Sequence, residues 1–144
     1  MPIIIWSAAH ELGVQAMDRT HQEFVELYNG LAGAGDRDFA ARFDALLDHT
    51  VAHFAQEDRW MVASGFPPTA IHRSEHDRVL VQMRDLQQRV AAGDVAAGRQ
   101  VVDTLPTWFD EHAATMDAAL ANWMRRVGYR AQAGNAESAA AEQV

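Results

Sequence analysis

The chain has no cysteine. That absence excludes disulfides, thiolate nucleophiles, zinc-thiolate sites and iron-sulfur clusters, so any metal must be held by imidazole and carboxylate. No apolar run approaches the roughly 20 residues that span a bilayer. The opening stretch MPIIIWSAAH has too short an apolar run, and no charged leader, for a signal peptide. A cytoplasmic address is the expectation. Positive charge is scarce too: 12 Lys plus Arg stand against 20 Asp plus Glu, a net charge of -8. Such a surface offers no basic patch for nucleic acid or for insertion at an anionic membrane, and suits a small ligand better.

What is present is enough apolar material for one core, 49% of 144 residues, the size of a single domain. Residues 1–17 show no sustained period. With Pro2 and Gly13 they read as an extended arm whose Ile3, Ile5 and Trp6 pack onto the body. From Asp18, taken as an N-cap, the positions Met17, His21, Phe24, Tyr28 and Leu31 step by four and three, the spacing of one buried helix stripe. A second stripe runs through Phe39, Phe43, Leu46, Thr50, His53, Glu57 and Trp60 until SGFPP stops it. A third holds His72, His76, Val79, Met83, Leu86 and Val90. A fourth carries Leu105, Phe109, His112, Met116, Leu120 and Trp123, with Pro106 marking a kink or a restart.

The spacing predicts an all-α fold, an up-down-up-down antiparallel four-helix bundle over residues 1–127. Its helices are expected at about 18–33, 37–64, 69–92 and 95–127, and residues 128–144 are expected to form a frayed or disordered tail.

Each stripe contains residues that do not belong in an apolar core. They are His21, His53 with Glu57, His72 with His76, and His112 with Asp117. Burying such groups costs several kcal/mol unless they are paired or bind metal. A shared metal site explains all seven. Five imidazoles supply five nitrogens, and two bridging carboxylates supply four oxygens. Two six-coordinate ions sharing one oxo or hydroxo bridge then keep one position open, and this donor set suits iron better than calcium or magnesium, with zinc a rival.

The order His21, His53-x-x-x-Glu57, His72-x-x-x-His76, His112-x-x-x-x-Asp117 resembles the hemerythrin family, in particular its single-domain bacterial members. HFAQED with Met61, and Trp108 one turn before His112, add to the likeness, which covers about residues 6–127. The resemblance implies a non-haem centre of two iron ions (Fe2+/Fe3+) that binds dioxygen reversibly. One iron would take His72, His76 and His112 and the other His21 and His53, with Glu57 and Asp117 bridging. It also implies an oxygen pocket lined by Phe24, Phe54, Trp108, Ala113 and Met116. Ala113 replaces the large aliphatic residue usual after the fourth-helix histidine, so a roomier pocket and faster autoxidation are expected.

A carrier, store or delivery protein is the leading reading. It would be monomeric, with an oxygen-consuming enzyme or redox partner. The alternatives are a di-iron enzyme acting on peroxide, nitric oxide or dioxygen, and a sensor acting through a separate partner. His49 is assigned to packing or solvent and His10 to the surface. The acidic stretches QEDRW and DEH read as solvated faces, with Asp58 and Arg59 pointing outward.

Overall fold

In the computed structural model, residues 3–132 are described. A short 3-10 turn (Ala8–His10) precedes α1 (Gln15–Ala32), α2 (Asp36–Ser64) and α3 (Thr69–Ala91). The fourth leg is segmented into α4 (Val95–Val102), α5 (Leu105–His112), a π-helical turn (Ala113–Asp117) and α6 (Ala118–Val127). No strand occurs among the described residues. The architecture is a four-helix bundle.

Local chemistry sets the boundaries. Gly65, at φ +70, lets α2 turn back, and Phe66 N–H donates to Met61 O at 2.9 Å to close the end. Pro67 and Pro68 then prevent the helix from continuing. In the fourth leg Pro106 occupies the first turn of α5, where its missing N–H costs nothing. The restart alternative is therefore the one realised.

Several expectations need correction at the N-terminal end. The N-cap of α1 is Val14, not Asp18. Asp18 lies one turn inside, and its carboxylate accepts from Leu12 N–H at 2.8 Å and Gly13 N–H at 3.2 Å, tying down the loop that enters the helix. In the arm, Ile4 is the buried residue, whereas Ile3 and Ile5 are 63% and 75% exposed. Asn29 causes this phase: its side chain accepts from Ile4 N–H and donates to Ile4 O, both at 2.8 Å, and an extended chain must then turn both neighbours outward.

The expected frayed tail is also ordered at its start. Tyr129 and Ala131 pack on the core, and Trp60 Nε1 donates to Gln132 O at 3.2 Å. Residues 133–144, the rest of that expected tail, lie outside the described residues.

The apolar interior falls into two clusters. One contains Phe24, Tyr28, Leu31, Phe39, Phe43, Phe54, Val79, Met83, Leu105, Phe109 and Ala113. The other contains Met17, Trp60, Met61, Phe66, Leu120, Ala121 and Met124. Along α1, α2 and the fourth leg, the chain passes from one cluster to the other through the stretch that carries the histidines and carboxylates. The polar residues form a layer between two apolar half-cores.

Candidate metal centre

Helix periodicity brings two of the pairs together directly. His53 with Glu57, and His72 with His76, are four apart and share a face of α2 and of α3. His112 and Asp117 are five apart, and in a regular α-helix such positions diverge by about 140°. The π-helical turn between them adds a residue to the turn and brings Asp117 back onto the face of His112. His21 completes the set from α1.

All seven side chains are buried, none more than 6% exposed, and their donor atoms converge in two overlapping groups. Glu57, His72, His76, His112 and Asp117 form one; His21, His53, Glu57 and Asp117 form the other. The two carboxylates belong to both because each points one oxygen at each group. Glu57 Oε2 lies 2.7 Å from His53 Nε2 and 3.6 Å from His21 Nε2. Its Oε1 lies 3.1 Å from His76 Nε2 and 3.6 Å from His72 Nε2. Asp117 Oδ2 faces His21 Nε2 at 3.0 Å, and Oδ1 faces His72 and His112 Nε2 at 3.1 and 3.2 Å.

Apart from His53 Nε2 with Glu57 Oε2 at 2.7 Å and His72 Nε2 with His112 Nε2 at 3.3 Å, the donors meet around points rather than pairing with one another. His21 Nε2, His76 Nε2, Glu57 Oε1 and Asp117 Oδ1 are buried with no hydrogen-bond partner, an arrangement that costs about 1–3 kcal/mol per group unless something else satisfies it. Divalent cations held by nitrogen and oxygen fit this set.

Protons partly fill the role in the metal-free protein. Burial alone would depress His21, but the carboxylates of Asp117 and Glu57 outweigh it and raise His21 to about 10. The same balance raises His72 to about 9. Burial would push Glu57 up, but the surrounding histidines hold it well below the usual carboxylate range.

Aromatic rings close the surroundings. Phe54 stacks on His76, with ring centres 4.0 Å apart and planes at 6°. Trp108 stacks on His112 at 4.7 Å and 15°, and its Nε1 donates to Glu75 Oε1 at 3.0 Å. Phe109 meets His21 edge-on at 5.4 Å and carries Phe24 stacked on its other contact at 5.0 Å. Ala113 is buried at the start of the π-helical turn. Met116, expected in the core, is half-buried instead and lines a cavity with His72 and Ile71.

Two contributors escaped the sequence reading. Phe109 sits three residues before His112, a spacing that could have placed it beside the site. Asp58, expected to face solvent, accepts from His76 Nδ1 at 3.0 Å, and Arg73 lies 3.8 Å from its other oxygen. No sequence spacing signals that contact between α2 and α3. His49 stays outside the cluster, with Nε2 3.4 Å from Glu23 Oε1 and its ring 5.9 Å from that of His53. His10 is stacked on Trp6 at 5.1 Å rather than free on the surface.

The model of the hemerythrin HHE cation binding domain matches residues 12–124. The chain belongs to the hemerythrin family. A bacteriohemerythrin of Ralstonia nicotianae is 44% identical over 128 residues, covering 89% of this chain and 93% of the relative. A myohemerythrin of Sipunculus nudus is 27% identical, covering 78% of this chain and 87% of the relative. A crystal structure of wild-type hemerythrin superposes with a TM-score of 0.78 at 26% identity, covering 85% of this chain and 98% of that one. Among the described residues no helix is long and apolar enough to cross a membrane. The matched span contains all seven of the buried donors, from His21 to Asp117.

Proposed function

We propose that this chain binds dioxygen reversibly at a di-iron centre and serves as a carrier, store or delivery protein. One observation carries the reading: the oxygens of Glu57 and Asp117 divide between a three-histidine group and a two-histidine group. In this reading His72, His76 and His112 hold one iron, and His21 and His53 hold the other. Glu57 and Asp117, each with one oxygen toward either group, would be shared between the two. Two irons, when bound, supply the two electrons that dioxygen takes up and gives back.

The protein's own residues make the site selective. The two-histidine group has one protein donor fewer, which leaves a position for the ligand on that side. Phe24, Phe54, Trp108 and Ala113, joined by Phe109, keep water away from it, and exclusion of water favours release of the ligand unchanged. The stacked rings hold His76 and His112 in one orientation. Asp58 fixes the tautomer of His76 by accepting from Nδ1, leaving Nε2 for the metal. The working form is a cytoplasmic monomer that exchanges dioxygen with an oxygen-consuming enzyme or is kept reduced by a redox partner.

The test is an optical spectrum of the iron-loaded protein through anaerobic reduction, exposure to dioxygen and removal of dioxygen under vacuum. A visible charge-transfer band that appears with dioxygen and disappears on its removal is expected. Irreversible decay in the first exposure would favour turnover of dioxygen or peroxide instead.

A further inference from the structure

We infer that Glu75 is a positioning residue for the three-histidine group: its carboxylate tethers the Trp108 indole, and the indole holds the His112 imidazole in the orientation that metal binding requires. The inference rests on the function proposed above only in taking His72, His76 and His112 as ligands of one metal. Reversible binding of dioxygen does not enter it.

The tether begins on α3. Arg78 stands one turn beyond Glu75 and grips its carboxylate as a fork, with Nε donating to Oε2 at 2.9 Å and Nη2 to Oε1 at 2.5 Å. A carboxylate held at both oxygens by a guanidinium has a defined geometry. Oε1 then accepts a second hydrogen bond, from Trp108 Nε1 on α5 at 3.0 Å.

Trp108 needs such a hold. It is half-buried and lines a groove of about 550 Å³ between α3 and the fourth leg, together with Arg78, Gln82, Met83 and Thr104. Its helix, α5, has only eight residues and runs straight into the π-helical turn, and a helix that short depends on its packing. On the inner side the indole stacks on His112, four residues further on, at 4.7 Å and 15°, and meets Phe54 edge-on at 6.2 Å. A stack fixes the plane of the ring but leaves it free to slide, and the χ2 torsion of tryptophan is broad. A hydrogen bond at the indole edge removes that freedom.

The consequence is geometric. His72 and His76 stand on α3 with Glu75, whereas His112 comes from the fourth leg. Glu75 therefore ties the histidine supplied from elsewhere to the helix that supplies the other two. Asp58 acts on His76 directly, through Nδ1. Glu75 acts on His112 through a ring.

The test is anaerobic competition titration of the full chain with ferrous ion, against a chelator of known affinity. Loss of a partner outside the ligand set weakens metal binding by about 10–100-fold. Glu75 works through an intermediary, so Glu75→Ala should weaken one of the two binding steps by about tenfold, the lower end of that range. Glu75→Gln keeps an oxygen at the Oε1 position, where both Trp108 and Arg78 donate, and should bind close to wild type. Trp108→Phe retains a ring for the stack and lacks the Nε1–H donor. In that background Glu75→Ala should add nothing, because the two residues act as one unit. In the zinc-loaded protein the Trp108 indole N–H resonance, identified by its loss in Trp108→Phe, should exchange faster with solvent in Glu75→Ala.

Wild-type affinity at both steps in Glu75→Ala would overturn the inference. Equal weakening in Glu75→Gln and Glu75→Ala would do so too, since charge rather than position would then be responsible. The same loss in the Trp108→Phe background, or a loss spread evenly over both steps, would reduce the contact to a staple between α3 and α5. A wild-type chain that bound no metal would bring down the proposed function, and this inference with it. Two metals bound with the same affinity whether or not Glu75 is present would bring down this inference alone.

Discussion

Asp58 offers the sharpest quantitative test of the centre. Its Oδ1 lies 3.0 Å from His76 Nδ1, whereas the Nδ1 atoms of His21, His53 and His72 are buried without a partner. His76 is therefore the cluster histidine whose basicity and tautomer a carboxylate is seen to set. Removing such a partner weakens metal binding by about 10–100-fold, or about 1.4–2.7 kcal/mol. Asp58 is 26% exposed, and solvent screening reduces the charge contribution. Asp58→Asn keeps an acceptor for Nδ1 and loses only the charge, so a drop of about tenfold is expected. Asp58→Ala loses both and should approach the upper end. The effect should fall on one of two binding steps, because His76 Nε2 faces the oxygen of Glu57 that serves the three-histidine group. Anaerobic competition titration with ferrous ion or zinc against a chelator of known affinity resolves the steps. Wild-type affinity at both steps in Asp58→Ala would refute the reasoning.

Loading should also release protons. His21 and His72, raised to about 10 and about 9, carry protons at neutral pH and must lose them to bind metal, so about two protons leave from this pair. Affinity should rise with pH up to about 9–10 and fall as the solution is acidified. Calorimetry in buffers of different ionisation enthalpy measures the count, and a value near zero would contradict it. Ala113→Leu adds bulk at the buried start of the π-helical turn and should slow autoxidation. An unchanged rate would place Ala113 outside the pocket. Gly98→Ala tests the opposite half-core: a Cβ there would lie 2.7 Å from Val90 Cγ2 and 2.8 Å from Phe39 Cε1. Overpacking of this kind costs about 1–3 kcal/mol. The thermal midpoint should fall while iron per chain is unchanged, and an unaltered midpoint would show that α4 yields freely.

The bundle was legible because its helices are long and their buried faces periodic. Phe39, Phe43, Leu46, Thr50, His53, Glu57 and Trp60 are all buried on α2, as the four-and-three stepping requires. Contacts between distant residues were not legible. Nothing near Ile4 in sequence says which arm residues face inward, because the choice is made by Asn29, 25 positions away. Asp18 looked like a cap because Asp before an apolar stripe often is one. Here the chain before it folds back through Gly13, at φ +84, so the same carboxylate serves loop amides from within the helix.

The centre was legible for a different reason: its donors violate the apolar stripe, and burial makes each violation expensive unless all are satisfied together. The misplacement of Met116 follows from the same geometry. In an uninterrupted α-helix the residue four after His112 shares its face, and that residue is Met116, which is why the stripe assigned it to the core. The π-helical turn gives that place to Asp117, the buried carboxylate that faces both histidine groups. Met116 is left half-buried against Ile71 and His72. The five-residue spacing between two inward-facing donors was thus itself a signal for a π turn, since no regular helix satisfies it. The extra residue that brings the second carboxylate to the centre also carries a flexible thioether out to the wall of the cavity beside it.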